Sequence, residues 1–288
     1  MKSYVIRKLK GVKHRLATQD VISVAQPESV EAPMKIETKK GSFLDEDATV
    51  RKYVRAMPDI KKFCVDIGAS DGISMSNTYK LFSSKWSGLA LECIPEKFTE
   101  LSKNLQSTKA SLSNSMVTPD NVLNILKAYN VPKDFGFLSL DIDGYDYFVL
   151  EKLFTEYKPY LICAEINEKI PPPLKFTVKY DKDYFWNTTH FYGQSISQLD
   201  ELCRSNGYVL VHLQYNNAFY VRADKYKGKH YDVQTAYDEG YRNQPDREEK
   251  FPWNKNFDVL LDMPVSKQMA FLNENFSKYK GSYTLKRK

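Results

Sequence analysis

The feature that most constrains this chain is a series of short apolar segments, at 63–68, 88–93, 110–116, 135–142 and 160–166, separated by amphipathic stretches near 73–84, 95–106, 119–129 and 145–157. Apolar runs of this length alternating with helical periodicity are the pattern of repeated βα units, whose parallel strands are buried on both faces. The pattern lapses at Pro171-Pro172-Pro173, then resumes as a predicted helix over 194–206 closed by Gly207. Two further strands, 208–214 and 218–222, meet at Asn216-Asn217, a pair suited to a tight reversal. The expected result is an α/β domain with a seven-stranded, mostly parallel sheet, an antiparallel last strand and helices on both faces. No internal repeat is visible at a fixed period.

At 288 residues the chain can bury a full core of this kind, and no run approaches the apolar length of a membrane helix. The net charge of +6 is concentrated at the start, where Lys2, Arg7, Lys8, Lys10, Lys13 and Arg15 precede any acid. The remainder is neutral by count, which argues against a nucleic-acid-binding body. Val5, Leu9, Val12 and Leu16 recur at helical spacing, so the tail reads either as a basic amphipathic helix for peripheral contact with an anionic membrane or as a solvated segment. No continuous apolar stretch follows the basic residues, so no secretory signal is apparent. Cys64, Cys93, Cys163 and Cys203 are scattered without C-x-x-C spacing, as expected of free thiols in a cytoplasmic protein. The expected organisation is a basic tail and linker over 1–42, the α/β domain over 43–224 and a poorly patterned annex over 225–288, with one helix near 265–277.

Chemistry is expected where strands end, because open α/β sheets bind ligands at the carboxyl ends of their strands. The first strand runs Phe63-Cys64-Val65-Asp66-Ile67 into Gly68-Ala69-Ser70-Asp71-Gly72. A turn that cradles phosphate is rich in glycine and often carries a lysine. This one has two carboxylates and no basic residue, so it suits a nucleoside carrying positive charge. The alternative is an ordinary strand-to-helix turn whose aspartates cap the helix. The second strand delivers Glu92, which can accept both hydroxyls of a ribose or cap the following helix.

The fourth strand ends in Asp141-Ile142-Asp143-Gly144 and the fifth in Glu165-Ile166-Asn167. Residues two apart on a strand share a face, about 7 Å apart. If the strands are neighbours, Asp141, Asp143, Glu165 and Asn167 converge as an all-oxygen set suited to Mg2+, Ca2+ or Mn2+. Two alternatives are that they hydrogen-bond the donor directly or cap the next helices. His190 lies in a loop after the fifth strand, where a near-neutral imidazole can act as base for a hydroxyl or serve a structural role. Tyr145, Tyr147, Tyr184, Phe185 and Trp186 can stack on an adenine or a sugar, or belong to the core.

These residues resemble a known group. Val65 to Gly72 looks like the first motif of class I S-adenosylmethionine-dependent methyltransferases, and Glu92 matches the acid ending their second strand. The run from Phe137 to Tyr147, Glu165-Ile166-Asn167, and Asn217-Ala218-Phe219-Tyr220-Val221-Arg222 resemble the FkbM-like methyltransferases. The likeness covers about residues 60–224 and implies a Rossmann-like sheet and O-methyl transfer to a hydroxyl of a sugar, glycan or small natural product. It implies S-adenosylmethionine bound by Asp66, Gly68, Ser70, Asp71, Gly72, Glu92, Asn114, Ser115 and Asp141. Asp141, Asp143, Glu165 and Asn167 would hold a divalent cation, and His190 and Asp143 would be catalytic. Tyr145 departs from the pattern, where a smaller polar residue is expected, and this puts the acceptor pocket in doubt. Two rivals remain: a metal-dependent glycosyltransferase using Asp141-x-Asp143, and a noncatalytic α/β module recruited through its tail.

Overall fold

The structure, a computed structural model, describes residues 41–287. The helix expected on Val5, Leu9, Val12 and Leu16, and all but the end of the expected linker, lie outside them. Seven strands form one sheet: β1 (Phe63–Ile67), β2 (Ser87–Glu92), β3 (Lys109–Asn114), β4 (Phe137–Leu140), β5 (Leu161–Glu165), β7 (Tyr208–Gln214) and β8 (Asn217–Arg222). Their order is β3-β2-β1-β4-β5-β8-β7. All ladders from β3 to β5 are parallel, whereas β8 runs antiparallel to both β5 and β7. The sheet is therefore the expected Rossmann-like one, with the last strand of the chain to enter it reversed and inserted between β5 and β7. The β7–β8 turn is Tyr215-Asn216, one residue earlier than the sequence suggests; Tyr215 takes the left-handed conformation and its phenol is held by Asp246.

Alternation along the strands sorts the core. Val65, Ile67, Leu89, Leu91, Leu138, Leu140, Ile162 and Ala164 pack in one cluster with residues of α4 (Val122–Ala128), α5 (Asp146–Phe154) and α6 (Ile196–Ser205). Cys64, Ala90, Phe137, Leu161 and Cys163 face the other way, onto α1 (Glu46–Ala56), α2 (Tyr79–Ser83) and α3 (Pro95–Leu105). Helices thus cover both faces. The local signals are ordinary: Pro95 opens α3, and Ser195 caps α6 by accepting from the Gln198 N–H while donating to the Leu174 carbonyl.

Two readings of the sequence change. The helix expected over 73–84 shrinks to Tyr79–Ser83, because Asp71 captures the amides of Ile73 and Ser74, and Gly41 pairs with Ser74 as an isolated parallel bridge. The stretch after the prolines contains β6 (Leu174–Val178), which pairs with β9 (Tyr283–Arg287) in a second, two-stranded sheet. Between them come α7 (Val233–Tyr237), α8 (Arg247–Lys250) and α9 (Val265–Asn275). Phe176, Phe191, Phe257, Leu272 and Phe276 form a third core there, with Phe191 stacked on Tyr279 at 3.9 Å. Among the described residues no helix is long and apolar enough to cross a membrane.

Candidate active site

Strand order reverses between β1 and β4, and the turn after β1 closes over that point. The Gly68 and Ala69 amides both donate to the Leu91 carbonyl, at 3.0 and 2.9 Å, while the Asp141 amide donates to Ile67. Gly68 has φ +93°, and a Cβ there would lie 1.9 Å from the Asp141 carbonyl oxygen. Gly72, at φ +76°, leaves room for Leu101, which a Cβ would meet at 2.4 Å. Backbone therefore passes close to backbone where a ligand crevice belongs.

The same alternation that sorts the core puts Asp66, Glu92, Asp141 and Glu165 in phase on the face of Cys64, Ala90, Phe137 and Cys163. Asp66 is buried and accepts from Thr78 Oγ1 at 2.5 Å. Burial pushes its carboxyl up to about 6; hydrogen bonds from Thr78 and Ser139 pull it down, and Glu92 pushes it further up. Glu92 accepts the Ser70 amide on Oε2 at 2.8 Å and the Ile94 amide on Oε1 at 2.7 Å. A carboxylate has about four acceptor sites, so capacity remains beyond these two amides and the adjoining Cys93 thiol. Asn114 and Ser115 both brace the end of β2, donating from Nδ2 and the backbone amide to the Glu92 carbonyl. Asp71 takes the capping alternative: burial raises its carboxyl, but the Ile73 and Ser74 amides and Lys97 outweigh this and hold it below its ordinary value.

Because Asp66 is more basic in the fold than in the unfolded chain, the native state holds a proton that the unfolded state has lost. Its contribution is fully present below the ordinary value of 3.8 and is lost as pH rises through about 6. Asp66→Asn removes this dependence while keeping an acceptor for Thr78. Relative to the variant, the wild type should lose about 2 kcal/mol between pH 4 and pH 7. Denaturant titrations of both proteins at several pH values measure the difference; parallel stability profiles would show that Asp66 is not protonated in this way.

Asp141, Asp143 and Glu165 each bring one oxygen into a cluster whose ligand atoms lie within 4.8 Å of one another. Asp143 sits in the left-handed conformation at φ 55°, in a turn held by Asp146, which accepts the Ile142 and Gly144 amides at 2.9 and 3.0 Å. Burial and then mutual repulsion raise Asp141 and Glu165 well above ordinary carboxylates; burial and Asp146 push Asp143 up to about 7. None of the three joins an ion pair among the described residues, although Asn216 Nδ2 donates to Glu165. Hard, acceptor-only oxygens without a counter-charge fit a divalent cation such as Mg2+.

Asn167 does something else with its amide. It is fully buried, and Nδ2 donates to the His190 and Tyr192 carbonyls at 2.9 and 3.0 Å, so it shapes the loop beyond β5. Oδ1 is buried without a partner among the described residues. His190 packs on Phe257 at 4.2 Å between ring centroids. Burial lowers it to about 4, with Lys169 lowering and Glu168 opposing, so the near-neutral base expected at this position is not what the fold provides. Tyr145 takes the core alternative: it is buried, donates to the Val117 carbonyl and packs edge-on against Tyr180. The ring beside the cluster is Tyr184, whose edge would meet a Cβ on Gly144 at 3.3 Å.

A second polar network adjoins the cluster and was not foreseen. Lys169 Nζ donates to Glu168 Oε1 at 2.9 Å and to the Tyr192 hydroxyl at 3.0 Å; that hydroxyl donates to Glu168 Oε2 at 2.8 Å. Asn254 donates to Glu168 Oε1 from the far part of the chain. All four side chains are buried, and burial followed by Glu168 and Glu165 raises the Tyr192 phenol well above its ordinary value. Glu168-Lys169 carries no motif of its own in the sequence; its adjacency to Asn167 is the one local signal that points to it.

No protein-family model and no curated protein sequence matches this chain. Among solved structures it is similar to magnesium protoporphyrin IX methyltransferase from Synechocystis with bound SAH, at 9% identity and a TM-score of 0.39, over 62% of this chain and 83% of that one. It is also similar to CalS10, an amino pentose methyltransferase from Micromonospora echinaspora with bound SAM, at 12% identity and a TM-score of 0.39, over 63% and 92%. A third is a S-adenosylmethionine-dependent methyltransferase from Clostridium acetobutylicum, at 12% identity and 0.40, over 63% and 91%. At these scores the likenesses carry nothing further, and function is read from the site itself.

Proposed function

We propose that this protein is an S-adenosylmethionine-dependent O-methyltransferase of the FkbM-like kind, acting on a hydroxyl of a sugar, glycan or small natural product. The observation that carries the reading is the set of in-phase carboxylates, Asp66, Glu92, Asp141 and Glu165, around a lysine-free glycine turn at the point where strand order reverses. Such a mouth repels a pyrophosphate and favours a sulfonium nucleoside.

In this reading the Gly68–Gly72 turn admits the methionine end beside Asp66, and the remaining acceptor capacity of Glu92 takes the ribose hydroxyls. The acceptor oxygen attacks the sulfonium methyl in line; the carbon–sulfur bond breaks with its electrons on sulfur, leaving S-adenosylhomocysteine. With no cation in the cluster, Asp143 takes the hydroxyl proton, its carboxyl raised to about 7 and so matched to a neutral working pH; a cation held there would lower that carboxyl and replace it in this role. Positioning of the two reactants supplies much of the rate. Asp141, Asp143 and Glu165 would hold a divalent cation, which supplies Lewis acidity toward a bound hydroxyl.

Native mass spectrometry of the purified chain tests the donor assignment. The expected spectrum carries the added mass of S-adenosylmethionine or S-adenosylhomocysteine, whereas a chain that remains bare after incubation with either nucleoside would count against it. The cation is tested by titrating Mn2+ and following its free resonance signal. Depletion by the wild type and none by Asp141→Asn is expected; equal signals in both would remove the cation from the site.

A further inference from the structure

The opposite end of the sheet carries the opposite charge. Strand register lines up the amino ends of β3, β2, β1, β4 and β5, through Lys109 with Ser87, Ser87 with Phe63, Cys64 with Phe137 and Phe137 with Leu161. The C-terminal end of β8 joins this edge through Leu161 with Val221. Backbone bonds knit the incoming loops together there: Ser87 to Lys62, Gly136 to Phe63, Lys158 to Lys133 and Arg222 to Tyr160.

Along this edge stand Lys109 at the start of β3, Lys85 before β2, Lys62 before β1, Lys158 before β5, and Lys225 and Lys227 after β8, all exposed. None of the six is in an ion pair among the described residues, while the nearby acids are already engaged: Asp134 with Lys61, Glu156 with Lys127 and Lys133, and Asp224 with Arg222. Asp59, in the loop before β1, is exposed and in no ion pair among the described residues. At about 4.8 Å per strand the row spans roughly 20–25 Å. At that spacing Lys109, Lys85 and Lys62, on three adjacent strands, lie within about one screening length of their neighbours, about 8 Å at physiological salt, while Lys158 stands two strands from Lys62 across β4. Such an arrangement repels itself and is relieved by an extended anionic counter-surface.

We propose that this amino-terminal floor of the sheet docks on an anionic lipid membrane, leaving the carboxyl-end mouth facing the aqueous side. The chemistry favours lipid over nucleic acid. The row is made of lysines, point charges suited to a diffuse anionic surface, and lacks the arginine forks and exposed interleaved aromatics that grip a polynucleotide backbone and its bases. Six more positive charges lie between Lys2 and Arg15, in the segment that leads into the same domain. The assignment is independent of the donor-site reading.

The test uses the full chain and two sets of vesicles, phosphatidylcholine alone and an equal mixture with phosphatidylglycerol, in a flotation assay. The wild type is expected to float with the anionic vesicles alone and to be released by added salt. Lys62→Glu/Lys85→Glu/Lys109→Glu/Lys158→Glu should weaken this by at least about tenfold with its melting temperature unchanged. The corresponding four-fold glutamine variant guards against a folding defect and should weaken binding in the same direction. Binding equal to wild type in both variants would show that the tail alone, or nothing on the floor, holds the membrane. No flotation of the wild type, or tighter binding to duplex DNA than to the anionic vesicles at the same salt, would equally overturn the assignment.

Discussion

Replacing Glu92 by alanine is expected to raise the Kd for S-adenosylhomocysteine by at least about 100-fold, equivalent to at least about 2.7 kcal/mol. Two losses add. The ribose hydroxyls would lose two charge-assisted hydrogen bonds, each worth about 1.5–3 kcal/mol when its partner is otherwise desolvated. The turn also loses an anchor, because Ser70 donates its amide to Glu92 Oε2 and has a left-handed φ of 50° that this contact helps to hold. Glu92→Gln keeps one acceptor but presents an NH2 group to one of the two amides, so it should bind poorly as well. Calorimetry on both variants measures the effect. Affinities within threefold of wild type would mean that Glu92 only braces the turn, and the ribose would have to be sought elsewhere.

The second large effect is on stability. Gly68→Ala should cost at least about 4 kcal/mol, a large share of the 5–15 kcal/mol by which domains of this size are stable. The added Cβ would fall 1.9 Å from the Asp141 carbonyl oxygen, and that carbonyl is fixed because the Asp141 amide is tied to Ile67 across the β1–β4 ladder. The φ of +93° adds conformational strain. Gly193→Ala separates the two contributions: its φ is +60°, yet nothing lies within 4 Å of the new Cβ, so about 1–2 kcal/mol is expected. Thermal melts of the pair should differ by 5 °C or more, on the order of 2–4 °C per kcal/mol for a chain of this length. Matching melts would show that β1 and β4 do not approach as closely as described.

What the sequence disclosed and what it hid divide by range. The ends of β1, β2, β4 and β5 were legible because those apolar runs are short and carry an acid at or next to the end, and the same alternation that buries Val65, Leu91, Leu140 and Ala164 forces Asp66, Glu92, Asp141 and Glu165 into phase. The cluster of Asp141, Asp143 and Glu165 followed once β4 and β5 were neighbours. The pairing of β6 with β9 was hidden, since Leu174 and Arg287 are far apart in the chain and neither segment has local periodicity to announce a partner. The buried Glu168–Lys169 pair was hidden for a related reason: its burial is set by Asn254 and Tyr237, which arrive from the C-terminal segment. His190 shows the limit most clearly, because residue type predicts a near-neutral base, whereas burial beside Lys169 and Phe257 lowers it to about 4.

The central claim is that the acidic glycine turn and Glu92 bind a sulfonium nucleoside. Calorimetric titration of the wild-type chain with S-adenosylhomocysteine, set beside uridine and guanosine diphosphate-sugars with Mn2+, tests it most directly. One S-adenosylhomocysteine bound per chain and no heat from the nucleotide sugars is the predicted result; tight nucleotide-sugar binding with no response to S-adenosylhomocysteine would contradict it.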